Sequence, residues 1–231
     1  MKYQMTDFLD FHTHILPGVD HGSESLETSL SQLKLAKSFG ITKIFATSHF
    51  YPHQHTVTSF IERRDKAYLS IKNSGAAIPE IKLGAEVLLC EGLHKLTGLE
   101  NLTIFGTKLL LLELPFASLT HGMLHAVKRL VENGYEVVLA HADRYPRPRI
   151  EALIEHGAKI QLNVDSVASP FARKPLLDWF KRGIVVGLGS DIHGVDTRIY
   201  KKFAKAVSKI LPYVDELQQK SEEIWKKALP M

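Results

Sequence analysis

The chain has 231 residues, of which 45% are hydrophobic and 23% charged, so it can bury a sizeable core and is not intrinsically disordered. Its net charge of +4 comes without a long basic run, so the charge gives no argument for nucleic-acid or membrane binding, no nucleic-acid partner is expected, and a small anionic substrate fits as well. A single cysteine, Cys90, excludes an internal disulfide and predicts a cytoplasmic setting. The longest apolar run, Leu109 to Leu112, is too short for membrane insertion.

Short β-rich runs alternate with helical patterns along the chain. Strands are predicted at 8–14, 41–47, 81–87, 108–114, 136–141, 158–164 and 184–190. Helices are predicted at 26–36, with Ser23 or Ser25 as N-cap and Gly40 as stop, and at about 56–73, 119–133, 148–156, 173–182 and 198–228. Seven β-then-α units without a break in composition predict an α/β fold in a single domain, residues 1–231. Its parallel sheet is either open or closed into a barrel.

The first predicted strand ends in Asp10-Phe11-His12-Thr13-His14. Because alternate side chains of a strand share a face, Asp10, His12 and His14 are expected to project together. Two adjacent imidazoles suit a divalent metal such as Zn, Mn or Fe. Alone, His-x-His is a weak signal, and ordinary surface or core histidines are its simpler explanation. The 12 histidines of the chain make metal a stronger explanation.

Polar residues also end the later predicted strands. They are His49, Glu86, Glu113, His141, and Asp191 with His193. In parallel α/β folds the carboxyl ends of the strands form the active-site face. Glu113 follows a run of leucines and would lose several kcal/mol of hydration if buried unpaired, a cost that a metal cation removes. Taken singly, each residue has an alternative: Glu113 paired with arginine or facing solvent, His49 and His141 as structural histidines.

Two further features bear on the chemistry. The glycines of the loop Pro17–Gly22 allow tight turns, so that His21 could return over the strand ends. A cysteine-dependent phosphatase needs Cys-x5-Arg, but Leu96 stands six residues after Cys90, and Gly-x-Ser-x-Gly is absent. Metal-activated water is the chemistry that remains.

Together these motifs resemble the PHP (polymerase and histidinol phosphatase) family. The match consists of His12-x-His14, Asp20-His21-Gly22, Thr47-Ser48-His49, Gly84-Ala85-Glu86, Ala140-His141 and Ser190-Asp191-x-His193, in family order over nearly the whole chain. The resemblance implies a distorted seven-stranded (β/α) barrel that holds up to three metal ions.

Within that family, the chain is similar to the bacterial manganese-dependent protein-tyrosine phosphatases of capsule and exopolysaccharide operons. The similarity is carried by His14-Ile15-Leu16-Pro17-Gly18-Val19-Asp20, Leu112-Glu113-Leu114, Ala140-His141-Ala142-Asp143-Arg144 and Arg198. It departs from the subfamily at His21, where aspartate is usual, and at Asp143, where glutamate is common.

The resemblance implies three metal sites. The first would use His12, His14, Glu86 and Asp191; the second a bridging Glu86 with Glu113 and His141; the third His21, His49 and His193. Two or three divalent ions are therefore expected. Mn is the first choice, and Zn or Fe are alternatives because the added imidazole of His21 shifts the preference.

The resemblance also assigns roles around the metals. Arg144 and Arg198 match arginines thought to hold the phosphate, although ordinary surface salt bridges are the alternative for both. Asp20 is a further catalytic candidate. Asp10 could orient a ligand imidazole from behind, or simply cap the strand.

The implied reaction is hydrolysis of a phosphomonoester by a metal-activated hydroxide that attacks phosphorus. The expected substrate is a phosphotyrosine protein, in the subfamily the C-terminal tyrosine cluster of a bacterial tyrosine kinase of capsule synthesis, and homo-oligomers are left open. One alternative is a phosphatase for a small phosphomonoester such as histidinol phosphate. The other is a non-catalytic, metal-bound regulatory module.

Overall fold

The structure, a computed structural model, describes residues 7–170 and 173–230. Within these ranges helices and strands alternate as predicted. The strands are β1 (Phe8–Thr13), β2 (Ile41–Ala46), β3 (His49–Phe50), β4 (Glu80–Leu83), β5 (Glu86–Leu88), β6 (Leu109–Glu113), β7 (Glu136–Leu139), β8 (Lys159–Asn163) and β9 (Val185–Gly189). The helices are α1 (Leu26–Ser38), α2 (Val57–Lys72), α3 (His121–Glu132), α4 (Arg147–Glu155), α5 (Val164–Ala168), α6 (Arg173–Lys181), α7 (Ile199–Lys209) and α8 (Val214–Lys227).

The paired strands are parallel throughout and form two sheets, β1-β2-β4 and β3-β5-β6-β7-β8-β9. Backbone hydrogen bonds link the two sheets beyond the strand ends. The amide of Asp191 donates to the carbonyl of His12 at 2.9 Å, and the amide of His14 donates to that of Ile192 at 3.3 Å. The predicted parallel α/β architecture is confirmed. Closure of one seven-stranded barrel stays a prediction, because the pairing divides into two sheets.

Two predicted elements differ from the structure. The strand predicted at 81–87 is two strands, β4 and β5, because Gly84 and Ala85 carry the chain from one sheet to the other. The single helix predicted at 198–228 is wrong: α7 ends at Lys209, and Pro212 begins the turn before α8. Helix α5 was not predicted. The N-cap of α1 is Ser25, whose side chain accepts a hydrogen bond from the amide of Thr28.

The buried apolar residues form two clusters. The larger packs the helices against the strands. The smaller contains strand residues such as Phe11 and Phe45 together with Ile224 and Trp225 from α8 and Ala228, which caps it. The rings of Phe45 and Trp225 lie 5.2 Å apart. The smaller cluster is therefore covered by α8. Among the described residues, no helix combines the length and apolarity needed to cross a bilayer.

A buried cation lies beside this smaller cluster. Lys82 of β4 is only 7% exposed, and its Nζ donates to the carbonyls of Trp225 at 2.7 Å and Ala228 at 2.8 Å. The same nitrogen lies 4.4 Å from the Trp225 ring centroid, within range of a cation–π interaction. Lys82 thus satisfies carbonyls at the end of α8, which otherwise have no partner within the helix.

Candidate metal centre

Eight of the nine predicted metal ligands converge at the carboxyl ends of the strands. We call this set the strand-end cluster: His12, His14, His49, Glu86, Glu113, His141, Asp191 and His193. Its donor atoms form four overlapping triplets, in each of which the atoms lie within 4.8 Å of one another: His12–His14–Asp191, His12–Glu86–His141, His49–Glu86–Glu113 and His14–His49–His193. The strand ends therefore meet as the sequence predicted.

Glu86 lies at the centre of the cluster and is fully buried. Its Oε2 is 3.4 Å from Nε2 of His12, 3.2 Å from Nε2 of His14 and 3.0 Å from Nδ1 of His49. Its Oε1 is 2.7 Å from Nε2 of His141. Ligand atoms about 2.1 Å from one ion, at angles between about 90° and 110°, are separated by about 3.0–3.4 Å. The three separations from Oε2 match the edges of such a coordination shell, and the 2.7 Å contact of Oε1 is shorter.

Asp191 supplies the second carboxylate shared between imidazoles. Its Oδ1 lies 3.2 Å from Nε2 of both His12 and His14. Its Oδ2 accepts a hydrogen bond from Nδ2 of Asn163 at 3.1 Å and pairs with the guanidinium of Arg144 at 2.5 Å. One oxygen thus faces the imidazoles, and the other is held by the surrounding side chains.

Several buried donor atoms of the cluster lack a hydrogen-bond partner among the described residues. They are Oε2 of Glu86, Nδ1 of His49, Nδ1 of His141 and Nε2 of His193. Leaving such groups unsatisfied costs about 1–3 kcal/mol each. Nitrogen and carboxylate oxygen together suit divalent transition metals. The residues present therefore fit a metal centre.

The ionisation of the cluster shows how the charges balance. Burial by itself raises the pKa of Glu86, but the facing imidazoles of His12 and His14 hold that pKa well below its ordinary value. Burial lowers the pKa of His12, but the carboxylates of Glu86 and Asp191 more than offset it and raise that pKa to about 9. Protonated imidazoles thus balance the carboxylates, and a bound divalent ion would displace these protons.

Glu113 and His49 behave differently at the edge of the cluster. Burial and the nearby charge of Glu86 raise the pKa of Glu113 to about 7. Burial lowers the pKa of His49 to about 3, even though Glu86 opposes this shift. A neutral imidazole is the form that binds a metal, so His49 is available as a ligand without losing a proton.

The backbone of β1 decides which of its side chains join the cluster. Asp10 pairs with Ile44 and Thr13 pairs with Ala46, so β1 has one more residue than β2 between these pairs. This β-bulge changes the direction in which the following side chains point. Asp10 therefore does not join His12 and His14, and the prediction of a common face is wrong. Its Oδ1 accepts a hydrogen bond from the amide of Ser190 at 2.8 Å, and its Oδ2 accepts one from the hydroxyl of Tyr200 at 3.2 Å.

The contacts of Asp10 suggest a role different from orienting an imidazole. Ser190 immediately precedes Asp191, so Asp10 positions the backbone from which that carboxylate projects. A role of Asp10 in orienting a metal-binding imidazole stays a prediction.

Two cluster residues adopt a backbone conformation that is uncommon outside glycine. The φ angles of His141 and Asp191 are +33° and +53°. Such residues cost of order 1–3 kcal/mol and occur preferentially at functional sites. The side-chain carbonyl of Gln161 accepts a hydrogen bond from the amide of His141 at 2.7 Å and helps to hold this turn.

Two glycines allow the histidines of β1 to approach their neighbours. A Cβ at Gly189 would lie 2.6 Å from Cβ of His12, and a Cβ at Gly22 would lie 2.2 Å from Cβ of His14. Side chains at either position would displace the first two histidines of the cluster.

Asp20 lies behind the cluster and contacts its histidines. Nδ1 of His14 donates to Oδ2 of Asp20 at 2.8 Å, the same oxygen accepts from the amide of His49 at 2.9 Å, and Oδ1 accepts from the amide of Gly22 at 2.8 Å. Although burial opposes it, the interaction with His14 lowers the pKa of Asp20. Asp20 is thus placed to hold His14 with Nε2 toward the cluster.

His21 is the predicted ligand that falls outside the donor triplets. Its ring is exposed and lies 4.9 Å from that of His49 and 4.6 Å from that of His193. The triplet next to its ring is His14–His49–His193, whereas the predicted third site had His21 in the place of His14. The ligand role of His21 stays a prediction.

The two predicted phosphate-binding arginines occupy different surroundings. Arg144 lies in the short turn after His141, is about half exposed and pairs with Asp191 of the cluster. Arg198 precedes α7, is 80% exposed, and its Nε lies 3.4 Å from Oδ1 of Asp196. The structure brings Arg144 to the cluster and leaves the side chain of Arg198 on the surface.

Several supporting residues were not singled out from the sequence. Asn163 ends β8 and was detectable by the same strand-end rule as Glu86. Thr47, whose Oγ1 lies 3.1 Å from Nδ1 of His12, belongs to a recognised motif but was given no role. The ring of Tyr51 stacks on His49 at 5.2 Å, a contact that nothing in the sequence indicated.

The fold and the strand-end cluster define a class, the parallel α/β proteins with a candidate multinuclear metal centre at the carboxyl ends of the strands. Comparison with known families agrees with this class. The chain belongs to the capsular polysaccharide synthesis family CpsB/CapC, which it matches over residues 8–222. The resemblance drawn from the motifs is thereby confirmed.

Named relatives cover most of the chain. It is 26% identical over 210 residues to the tyrosine-protein phosphatase CpsB of Streptococcus pneumoniae, which covers 82% of this chain and 84% of that one. It is also 26% identical over 226 residues to the putative tyrosine-protein phosphatase CapC of Staphylococcus aureus, with 91% and 87% covered. The tyrosine-protein phosphatase YwqE of Bacillus subtilis is 26% identical over 200 residues, with 82% and 79% covered.

A solved structure supports the fold. The chain superposes with a TM-score of 0.78 and 22% identity on a structure from work on YwqE of Bacillus subtilis and CpsB of Streptococcus pneumoniae, described there as unique metal-dependent tyrosine phosphatases. The match covers 97% of this chain and 96% of the other.

Proposed function

We propose that this chain is a metal-dependent protein-tyrosine phosphatase. The observation that carries the proposal is the convergence of four imidazoles on the buried carboxylate of Glu86, with nitrogen–oxygen separations between 2.7 and 3.4 Å. Membership of the CpsB/CapC family supports the activity and the substrate class, because the relatives above are named tyrosine-protein phosphatases.

The proposed metal ligands are the sets that the resemblance implies, and the donor triplets support the first and third of these sets. His12, His14, Glu86 and Asp191 would hold one ion; Glu86, Glu113 and His141 a second; His49 and His193, with His21 or His14, a third. Mn is the expected metal, with Zn or Fe as alternatives, on a distorted seven-stranded barrel. When bound, the ions would supply positive charge to the phosphate oxygens and lower the pKa of water.

The side chains around the cluster have their own tasks. His14 donates Nδ1–H to Asp20, and His12 can donate Nδ1–H to Thr47, so that both present Nε2 toward Glu86. These hydrogen bonds would fix the tautomer and the orientation of both rings. The partly exposed guanidinium of Arg144, held beside Asp191, is available to bind phosphate oxygens in a bidentate manner.

The proposed substrate is a phosphotyrosine protein of the cytoplasm, namely the C-terminal tyrosine cluster of a tyrosine kinase of capsule synthesis. The family name and the named relatives support this substrate. For Arg198 to reach the phosphate, as the motif comparison implies, its side chain must leave Asp196.

The test is hydrolysis of a phosphotyrosine peptide and of histidinol phosphate, side by side, after chelation and after re-addition of Mn, Zn or Fe. We expect the peptide to be preferred and activity to return only with metal. Preference for histidinol phosphate would favour the small-metabolite alternative. Full metal binding without hydrolysis of p-nitrophenyl phosphate at any pH would favour a regulatory module.

A further inference from the structure

A cleft of about 310 Å³ lies beside the loop that follows β1. It is lined by Pro17, Gly18, Arg63, Lys66, Ala67 and Ser70. One wall belongs to the loop that starts three residues after His14, and the other wall is a face of α2. No carboxylate lines this cleft, whereas two cations do.

The two cations of the cleft have no ion-pair partner among the described residues. Arg63 and Lys66 are exposed, and the contact found for Arg63 is a 3.4 Å hydrogen bond from its Nε to the carbonyl of Ser59. The neighbouring Arg64 is instead buried and paired with Asp65 at 3.0 Å. Positive charge in the cleft is thus uncompensated.

Helical geometry places Arg63 and Lys66 on the side of α2 that faces the cleft. At about 100° per residue, positions 63, 66, 67 and 70 share one side of the helix. Glu62 lies about 100° from Arg63 and about 40° from Lys66, at the border of this side, and Asp65 lies on nearly the opposite side from Arg63. The face of α2 toward the cleft is therefore basic although the helix as a whole contains both signs.

Two segments join the cleft to the strand-end cluster. The loop at Pro17 and Gly18 begins just after His14, and residues 51–56 lead from β3 into α2. Along the second segment, the ring of Tyr51 lies 5.2 Å from that of His49 and 6.1 Å from that of His53. A chain leaving the cluster past Tyr51 would meet the basic face of α2.

We propose that this cleft binds an acidic segment of the phosphoprotein substrate, next to the phosphotyrosine in sequence, through Arg63 and Lys66. The inference rests on the proposed phosphatase function and adds the recognition of the flanking residues to it. Arg63 lies six residues into α2, about 9 Å along its axis. Since an extended peptide covers about 3.3 Å per residue, the acidic side chains would lie a few residues from the phosphotyrosine.

The experiment compares two phosphotyrosine peptides that differ only in their flanks, one with glutamates and one with glutamines. The measured quantity is the ratio of their kcat/KM values. For the wild-type protein we expect about a fivefold preference for glutamate at low salt, falling as salt is added. The double variant R63A/K66A should bring the ratio close to one.

A matched control removes the same charge elsewhere. Lys201 and Lys205 are exposed on α7, and K201A/K205A should keep the preference of the wild-type protein. No preference in the wild-type protein, or an equal loss in both double variants, would overturn the proposal. An unchanged ratio of kcat/KM values in R63A/K66A would also overturn it. This holds even if that variant loses binding to phosphatidylglycerol vesicles.

The inference can fail separately from the proposed function. If the wild-type protein hydrolyses neither peptide nor p-nitrophenyl phosphate with metal present, the phosphatase assignment fails. Binding of the fluorescent, unphosphorylated glutamate peptide, measured by anisotropy, then tests the cleft alone. Equal binding by the wild-type protein and R63A/K66A would overturn it in that case too.

Discussion

The core of this protein contains two sets of buried polar groups. One set has its hydrogen bonds made within the protein, and the other has atoms left without a hydrogen-bond partner among the described residues. Lys82 donates to the carbonyls of Trp225 and Ala228, and it lies over the indole ring. Within the part of the chain that the structure describes, the strand-end cluster instead holds buried atoms without a hydrogen-bond partner, such as Oε2 of Glu86 and Nε2 of His193.

This difference separates a structural site from a ligand site. A lysine with its hydrogen bonds made needs nothing more and serves to fix α8 against β4. A buried cluster whose imidazole nitrogens and carboxylate oxygens lie about 3 Å apart is stabilised by cations, either bound protons or a metal ion. Five substitutions test this comparison, in order of decreasing expected effect.

The largest loss is expected for Glu86→Gln. The amide keeps the shape of the side chain but removes the charge shared by four imidazoles, and we expect turnover of a phosphotyrosine peptide to fall about a thousandfold. Circular dichroism would show that the fold is kept. Glu136→Gln, at an exposed position of β7, is the matched control. Wild-type turnover by the Glu86 variant would mean that the centre is misplaced.

A smaller loss is expected for Asn163→Ala. Removing the hydrogen bond from Nδ2 leaves Oδ2 of Asp191 with Arg144 alone, and we expect the affinity for Mn to fall about 10- to 100-fold. Calorimetric titration of the metal-free protein measures this affinity. Asn101→Ala, on an exposed turn, should bind Mn as the wild-type protein does. Equal affinities for all three proteins would remove Asn163 from the centre.

The two arginines should differ. Arg144→Ala removes a guanidinium beside the cluster and should lower kcat/KM by about 10- to 100-fold, the value of one charge-assisted hydrogen bond. Arg198→Ala should lower it only a few-fold, because its side chain is exposed and bound to Asp196. A larger loss at Arg198 would show that this side chain moves onto the phosphate during turnover.

The smallest effect on activity is expected for Lys82→Met. Two carbonyls of α8 lose their partner, so the free energy of unfolding should fall by about 1–3 kcal/mol in urea titrations. The activity of each folded molecule should stay unchanged. Lys34→Met, on the exposed face of α1, should change neither quantity. A specific loss of metal or turnover in the Lys82 variant would contradict the separation of the two sites.

The strand-end rule explains how much of the centre could be predicted from the sequence. Glu86, Glu113, His141 and Asp191 each follow an apolar run, and parallel strands bring such residues to one edge. The place of Asp10 could not be predicted, because it depends on a bulge set by the pairing of β1 with β2.

Conformation outside the regular elements limited the prediction as well. The left-handed backbone of His141 and Asp191, which aims both side chains, depends on tertiary hydrogen bonds. The division of the C-terminal segment into α7 and α8 was predictable, since Pro212 stands between them. The exchange of His21 for His14 in one triplet depends on how the exposed loop folds back.

Elemental analysis of the purified protein tests the metal centre most directly, with Glu86→Gln analysed in parallel. We expect about two to three divalent ions per wild-type chain and at least one fewer in the variant. Less than about a tenth of an ion in a folded wild-type chain, even after dialysis against Mn, Zn and Fe, would contradict the proposed centre.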